Sequence, residues 1–216
     1  MIGKLLNQAL LHRQNLNPAT LDGSQEAAWV AASQDGDTLA FNRLVLKWEK
    51  AIFNLALRML QDPDEAAEAA QEVFLSAFKN IRRFRRDARF STWLYRIAVN
   101  HCITRLRKKP PGIHLSLDDR TDDEEPLANR LASPGSHEQD LLREESRRRV
   151  RTAMQGLPAE QKAVVELKFF QDLTFEEISA ICEAPLSTIK SRLYSGLESL
   201  KLRLGDLSAT RDGGKS

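Results

Sequence analysis

The sequence predicts an all-α chain of two small helical domains joined by a flexible acidic linker, the second domain carrying a helix-turn-helix. Three observations lead there. Apolar residues recur at helical rather than alternating spacing along both halves of the 216 residues. The stretch 110–140 opens with Pro110-Pro111-Gly112, later carries Ser133-Pro134-Gly135-Ser136, and has no sustained apolar period. Near the end, a short helical pattern, a tight turn and a second helix with a small polar outer face follow one another. The expected organisation is an extension over 1–24, a first lobe over 25–109, a linker over 110–139, a second lobe over 140–205 and a tail over 206–216.

In the first lobe, Leu44, Trp48, Ile52, Leu55 and Met59 mark one helix. The next follows Asp62-Pro63-Asp64-Glu65: Asp62 can cap free amides, Pro63 suits the first helical position, and Glu65 completes a capping box. Ala66, Ala70, Val73 and Ala77 form its core stripe; Glu65, Glu68, Glu72, Leu75 and Lys79 form the opposite one. Such a stripe can be a solvated face, but Leu75 and Phe78 beside it also suit docking of a basic partner. A third helix is expected from Ser91, a good N-cap. Leu94, Tyr95, Ala98, Val99, Cys102 and Leu106 share its inner face, and Trp93, Arg96, Asn100, Thr104 and Arg107 a narrow stripe on the other.

In the second lobe, a helix over 138–156 is followed by one that Leu157-Pro158-Ala159-Glu160 opens and that runs to Phe170. A short helix capped by Thr174 ends at Cys182, Glu183-Ala184 makes the turn, and Pro185 opens the last helix. There Leu186, Ile189, Leu193, Leu197, Leu200 and Leu204 are expected inward. Thr188, Ser191 and Ser195 centre the outward face, flanked by Ser187, Arg192 and Tyr194. Lys190 sits at the boundary, where its stem can follow apolar surface and its amine reach a phosphate.

Hydrophobic residues make up 42% and charged residues 29%, an ordinary soluble composition. No uncharged apolar stretch approaches the ~18 residues of a membrane span, so no membrane insertion is expected. Met1 to Arg13 carry only broken apolar pairs, unlike a signal peptide. Cys102 and Cys182, far apart within apolar patterns, read as small buried hydrophobes in a reducing cytoplasm. Four scattered histidines and the absence of CxxC argue against a metal site. With no Gly-rich phosphate loop and no nucleophile–base spacing, neither a cofactor nor an enzymatic activity is expected.

Charge is unevenly spread. Residues 61–78 hold five acids and no base; 79–109 hold eleven bases against Asp87 alone; 110–140 hold eight acids against Arg120 and Arg130. The basic block is the footprint of a polyanion binder. Within it, Arg82-Arg83-Phe84-Arg85-Arg86-Asp87-Ala88-Arg89-Phe90 interleaves arginines, which attract phosphates, with aromatic rings, which can stack on unpaired bases. Phe84 and Phe90 can alternatively anchor this loop in the core, the better reading for Phe90.

Two stretches, DPDEAAEAAQEVFLSAFKNIRRFRRDARFSTWLYRIAVN (Asp62 to Asn100) and LPAEQKAVVELKFFQDLTFEEISAICEAPLSTIKSRLYSGL (Leu157 to Leu197), resemble regions 2 and 4 of the extracytoplasmic-function (ECF) sigma factors, a branch of the sigma-70 family of bacterial RNA polymerase. The resemblance implies a transcription initiation factor that binds core polymerase at the largest subunit's clamp and at the flap. It would read duplex promoter DNA at −35 and the single-stranded non-template strand at −10, usually under an anti-sigma factor and for a stress or envelope-signal regulon. Glu68, Gln71, Glu72 and Leu75 match the clamp-binding surface. Phe84, Arg86, Asp87, Arg89 and Ser91 match the loop that captures a flipped −10 base, and Trp93, Arg96 and Asn100 the helix that holds the melted strand. Ser187, Thr188, Lys190, Ser191, Arg192, Tyr194 and Ser195 fall on the −35 reading helix. Glu183 stands where the family usually has glycine, and Ser195 and Leu197 where arginines are frequent.

Overall fold

The computed structural model describes residues 23–85, 88–108 and 148–212. All regular elements among them are helical. The linker over 110–139 and Arg86 and Asp87 lie outside the described residues. The first lobe comprises α1 (Gly23–Gln34), α2 (Thr38–Leu60), α3 (Pro63–Asn80), a 3-10 turn (Ile81–Arg83) and α4 (Phe90–Lys108). The second comprises α5 over 148–155, α6 (Ala159–Phe169), α7 (Phe175–Cys182) and α8 (Leu186–Asp212). The helix expected over 138–156 is thus described from 148 onward, and α8 continues into the segment read as tail.

Leu44, Trp48, Ile52, Leu55 and Met59 are all buried. Burying a large apolar side chain contributes roughly 1.5–3 kcal/mol, against about 1 kcal/mol for a helix cap, so this stripe dominates the placement of α2. The caps set its ends. Asp37 Oδ1 accepts from Leu39 N at 2.8 Å and from Ala40 N at 3.1 Å, while Gln61 turns left-handed at φ 62° and donates its N–H to Leu57 O. Asp62 caps α3 by accepting from Glu65 N at 2.9 Å, with Pro63 as first residue. The Trp48 indole meets Tyr95 of α4 edge-on at 5.7 Å and donates to Glu26 of α1 at 2.7 Å.

Two expectations are corrected. Helix α4 starts at Phe90, so Ser91 lies inside the first turn and is buried rather than serving as N-cap. Leu186, expected inward, is 39% exposed because it is the first residue of α8 and precedes the packed stripe. Ile189, Leu193, Leu200 and Leu204 are buried as expected, and Leu197 packs on the core.

Helix α6 is buried almost all round: Lys162, Ala163, Val164, Val165, Glu166 and Leu167 form an uninterrupted buried run. A helix with that property needs neighbours on both sides. One side packs on α8, where Gly196 lets the helices approach: a Cβ there would stand 3.2 Å from Val165. The other side meets α2 and α4 of the first lobe. The two lobes therefore pack together over one continuous apolar core.

Candidate nucleic-acid interface

Helix α4 places the aromatic and basic residues of the loop before it. Phe84 and Phe90 are both buried, their rings edge-to-face at 6.0 Å. Half-buried Trp93 closes the triad at 5.0 Å from Phe84 and 5.7 Å from Phe90. From α1, the Gln34 amide donates to Ile81 O at 3.1 Å and to Phe84 O at 2.7 Å, pinning the loop. Both phenylalanines thus anchor the loop, and Trp93 presents what ring surface remains. Asn100 and Arg89 are exposed.

Arg96 reaches across to the second lobe. Its Nη1 pairs with Glu183 Oε1 at 2.9 Å and its Nη2 donates to Ala180 O at 2.7 Å. Two further arginines do likewise: Arg89 Nη1 lies 3.3 Å from Glu177 Oε1, and Arg107 binds Glu160 Oε1 through Nε at 3.1 Å and through Nη2. The Arg107 hydrogen bond holds the Glu160 carboxyl below its usual range. Between the lobes, a cavity of about 220 Å³ is lined by Asn100, Thr104, Arg107, Glu160, Cys182 and Arg192.

Beneath this rim the seam is polar as well. Arg58 of α2 chelates Glu166 of α6, with Nε 2.9 Å from both carboxylate oxygens and Nη2 2.8 Å from Oε1. Gln171 Nε2 donates to Glu166 Oε1 at 3.1 Å, and the Tyr95 hydroxyl donates to Gln171 Oε1 at 2.7 Å. Lys162 Nζ donates to Met59 O at 3.2 Å. Burial, then the Glu166 charge, push the Tyr95 hydroxyl above its ordinary pKa. Sequence reasoning missed this network. Its one legible trace is the pair Lys162 and Glu166, four apart in an otherwise apolar helix.

On α3, Glu68, Gln71, Glu72 and Leu75 are all exposed on one face. Arg105 of α4 orders the two acids, its Nη2 2.9 Å from Glu72 and its Nη1 3.3 Å from Glu68. That hydrogen bond holds the Glu72 carboxyl below its usual range. His101 Nδ1 lies 3.5 Å from Glu72. Phe78, on the rim of the face, is half covered by an edge contact with Phe41 at 5.0 Å.

The helix-turn-helix is α7 and α8. Thr174 and Glu177 form a reciprocal capping box at the start of α7. Glu183 takes the left-handed conformation (φ 50°, ψ 43°) that the turn demands, which costs a non-glycine residue about 1–2 kcal/mol. Ser187, Lys190, Ser191, Tyr194 and Ser195 are exposed on α8; Thr188 is half-buried, and half-buried Arg192 faces the inter-lobe cavity. The Lys190 ammonium stands 5.7 Å from the Phe175 ring centroid. Burial pushes the Cys102 thiol up to about 12 and the Cys182 thiol up to about 11, so neither is a ready nucleophile.

The family described as "Sigma-70 region 2" matches residues 44–110, and "Sigma-70, region 4" matches residues 147–200. The RNA polymerase sigma-H factor of Pseudomonas aeruginosa is 34% identical, covering 87% of this chain and 97% of its own. The ECF RNA polymerase sigma factor SigW of Bacillus subtilis is also 34% identical, over 80% of this chain and 92% of its own. Among solved structures, the sigma factor RpoE of Bartonella quintana, in complex with the anti-sigma factor NepR, is similar in fold. Its TM-score is 0.55 at 22% identity, covering 76% of this chain and 96% of that one.

Proposed function

Because this chain belongs to the ECF sigma factors of the sigma-70 family, we propose that the three surfaces described above divide its work between core polymerase, the −10 strand and the −35 duplex. The chain is an alternative sigma factor: it binds core RNA polymerase and promoter DNA and initiates transcription, and it is not an enzyme. In this reading region 2 spans 25–109, region 4 spans 140–205, and the acidic segment 110–139 links them. The α3 face of Glu68, Gln71, Glu72 and Leu75 meets the clamp. Trp93, Arg96 and Asn100 hold the melted strand beside Arg86, Asp87 and Arg89, with Phe84 and Ser91 buried as supports. Ser187, Thr188, Lys190, Ser191, Arg192, Tyr194 and Ser195 read −35. An anti-sigma partner, action in the cytoplasm and a stress or envelope-signal regulon complete the proposal. Among the described residues, no helix is long and apolar enough to cross a membrane.

The observation that carries the −10 assignment is Trp93 on one stripe with Arg96 and Asn100, packed on Phe84 and Phe90, the buried residues at the two ends of the basic loop. Such a stripe offers a base a ring face and its phosphates a charge, and unpaired-base stacking contributes about 1–3 kcal/mol per base. Trp93→Ala and Arg96→Ala are expected to lower open-complex formation about tenfold or more while core affinity stays near wild type, as read by permanganate footprinting and competition for core enzyme. Parallel loss of core binding would return Trp93 to a purely structural role.

On α8, the Lys190 ammonium at the edge of the reading face suits a phosphate, whereas Ser191 and Ser195 at its centre suit base edges. Lys190→Ala should weaken −35 duplex binding evenly across sequences and lower the salt slope by about one. Changes at Ser191 or Ser195 should alter base preference. A library binding assay in which Lys190→Ala shifts only preference would refute the division.

A further inference from the structure

The cavity of about 220 Å³ between the lobes draws its walls from four helices, α4, α6, α7 and α8. Val99, Ile103 and Ala163 give it apolar surface, and Asn100 and Thr104 give it neutral polar groups. Arg107 and Arg192 bring one guanidinium from each lobe, with Glu160 as the carboxylate between them in the lining. Sites for drug-sized ligands take about 300–1,000 Å³, so this one suits a smaller molecule.

The two guanidinia are not equally satisfied. Arg107 binds Glu160 Oε1 through Nε at 3.1 Å and through Nη2. Arg192 is half-buried, yet its guanidinium makes no hydrogen bond or ion pair with the described residues. The Glu160 carboxyl is held below its usual range by the Arg107 hydrogen bond first, and only least by the more distant Arg192 charge. Burial pushes the Cys182 thiol in the same wall up to about 11, with the Arg192 charge pulling the other way. That wall is therefore dry, and a charge placed against it is weakly screened. A guanidinium carries five donors in a planar fork. One carboxylate against two guanidinia leaves the lining with a net positive charge and one fork without an acceptor among the described residues. The Asn100 side-chain amide has no partner among them either.

We propose that this cavity binds the phosphate group of a small molecule, with Arg192 and Arg107 gripping it from the two lobes, the Asn100 amide donating to a further oxygen, and Val99, Ile103 and Ala163 supporting an organic part. A phosphate monoester carries about −1.5 to −2 charges at pH 7 and three strong acceptor oxygens, which suits two guanidinia and an amide. Arginine forks match such a group bidentately. A carboxylate ligand would bring only what Glu160 already supplies. Inorganic phosphate shares this chemistry, but the apolar surface favours an ester. Asn100 and Arg192 also belong to the DNA-facing sets proposed above; phosphate binding in the cavity does not depend on that assignment.

The test is a heteronuclear NMR titration of the full-length chain, without DNA or core enzyme, using ribose 5-phosphate, inorganic phosphate and unphosphorylated ribose. Ribose 5-phosphate should bind at one site with a Kd of about 1 mM or below, shifting amides of the cavity lining, and ribose should not bind. Tighter binding of ribose 5-phosphate than of inorganic phosphate assigns the site to an ester; equal affinities assign it to phosphate itself. Arg192→Gln should weaken binding about tenfold or more, through loss of hydrogen bonds to a charged group. Glu160→Gln should act in the opposite direction and tighten binding about threefold, because Arg107 is released and the lining gains positive charge. Lys50→Gln removes the same charge as Arg192→Gln from an exposed position of α2 outside the lining and should change nothing. Failure of both phosphate probes to saturate would overturn the proposal. Equal weakening by Arg192→Gln and Lys50→Gln would overturn it as well, because binding would then belong to a general basic surface. Weaker binding in Glu160→Gln would also overturn it, and this variant keeps the test decisive even if Arg192→Gln fails to fold. With no DNA or polymerase present, each of these failures leaves the promoter-facing surfaces as proposed.

Discussion

Arg58→Ala should destabilise the folded chain more than any other single change at the inter-lobe seam. Glu166 is 0% exposed, and the Arg58 guanidinium grips both of its carboxylate oxygens, with Gln171 as a neutral donor beside them. Breaking a buried ion pair from one side costs about 3–5 kcal/mol, because the remaining charge stays desolvated. The guanidinium also lies 4.8 Å from the Phe170 ring centroid, and its removal takes that attraction away as well. The chain has one escape: parting the lobes exposes Glu166 to water. Arg58→Ala is therefore expected to lower the urea midpoint and enlarge the radius of gyration together. Glu166→Leu should be milder, since the Arg58 side chain is already 27% exposed and can turn to solvent. The double change Arg58→Met with Glu166→Leu should recover most of the stability, because an apolar pair of similar volume avoids the desolvation of both ions. Three variants all as stable as wild type in urea titrations would show that the pair holds nothing.

That pair also marks where sequence reading stops. Most of the helices were legible because they follow from local rules: the Leu44-to-Met59 stripe, the Asp62-Pro63 start, the Thr174 cap, the turn at Glu183; α1 (Gly23–Gln34) was not read. The exposed face of α3 was legible because its acids and its alanines separate at helical period. What could not be read is which outward stripe meets which. Arg96 and Glu183 are far apart in sequence, and nothing local distinguishes an arginine awaiting DNA from one already paired with a glutamate. Arg58, on an ordinary amphipathic helix, carries no sign that Glu166 lies opposite. Ser91 misled for a different reason: a good capping residue is favourable at an N-cap, but here buried Phe90 sets where α4 begins, one residue earlier. Phe84 was left open between stacking on bases and anchoring the loop; Gln34 in α1, which no motif flagged, binds the carbonyl of Phe84 and fixes it inward.

Glu68→Lys together with Glu72→Lys should remove the chain's ability to compete for core polymerase. Both carboxylates are held in place by Arg105, and Glu72, whose carboxyl is stabilised as the anion by that hydrogen bond, is fully ionised at neutral pH. Ordered charges on an exposed face lose little freedom on docking, which makes them more effective than unanchored ones against a basic partner. Reversing both signs replaces two attractions with two repulsions, and like charges facing across an interface cost several kcal/mol, so competition should fall about a hundredfold or more. The fold should survive, since both carboxylates stand at least half exposed, and pairs that end on exposed acids contribute about 0–1 kcal/mol each. Arg105 and His101 would then face lysines, but both can turn to water at the rim of α4. Arg105→Ala separates the two roles of the cluster: it leaves the acids in place yet unordered, so core affinity should drop by a few-fold only. The reversal Glu49→Lys, on the exposed side of α2, controls for charge alone. If the double reversal competes for core enzyme as well as wild type does, the acidic face of α3 is a solvated surface and the clamp contact lies elsewhere on the first lobe. If it melts well below wild type, Glu68 and Glu72 serve the packing of α3 on α4 through Arg105, and the weaker binding follows from the fold rather than from the face.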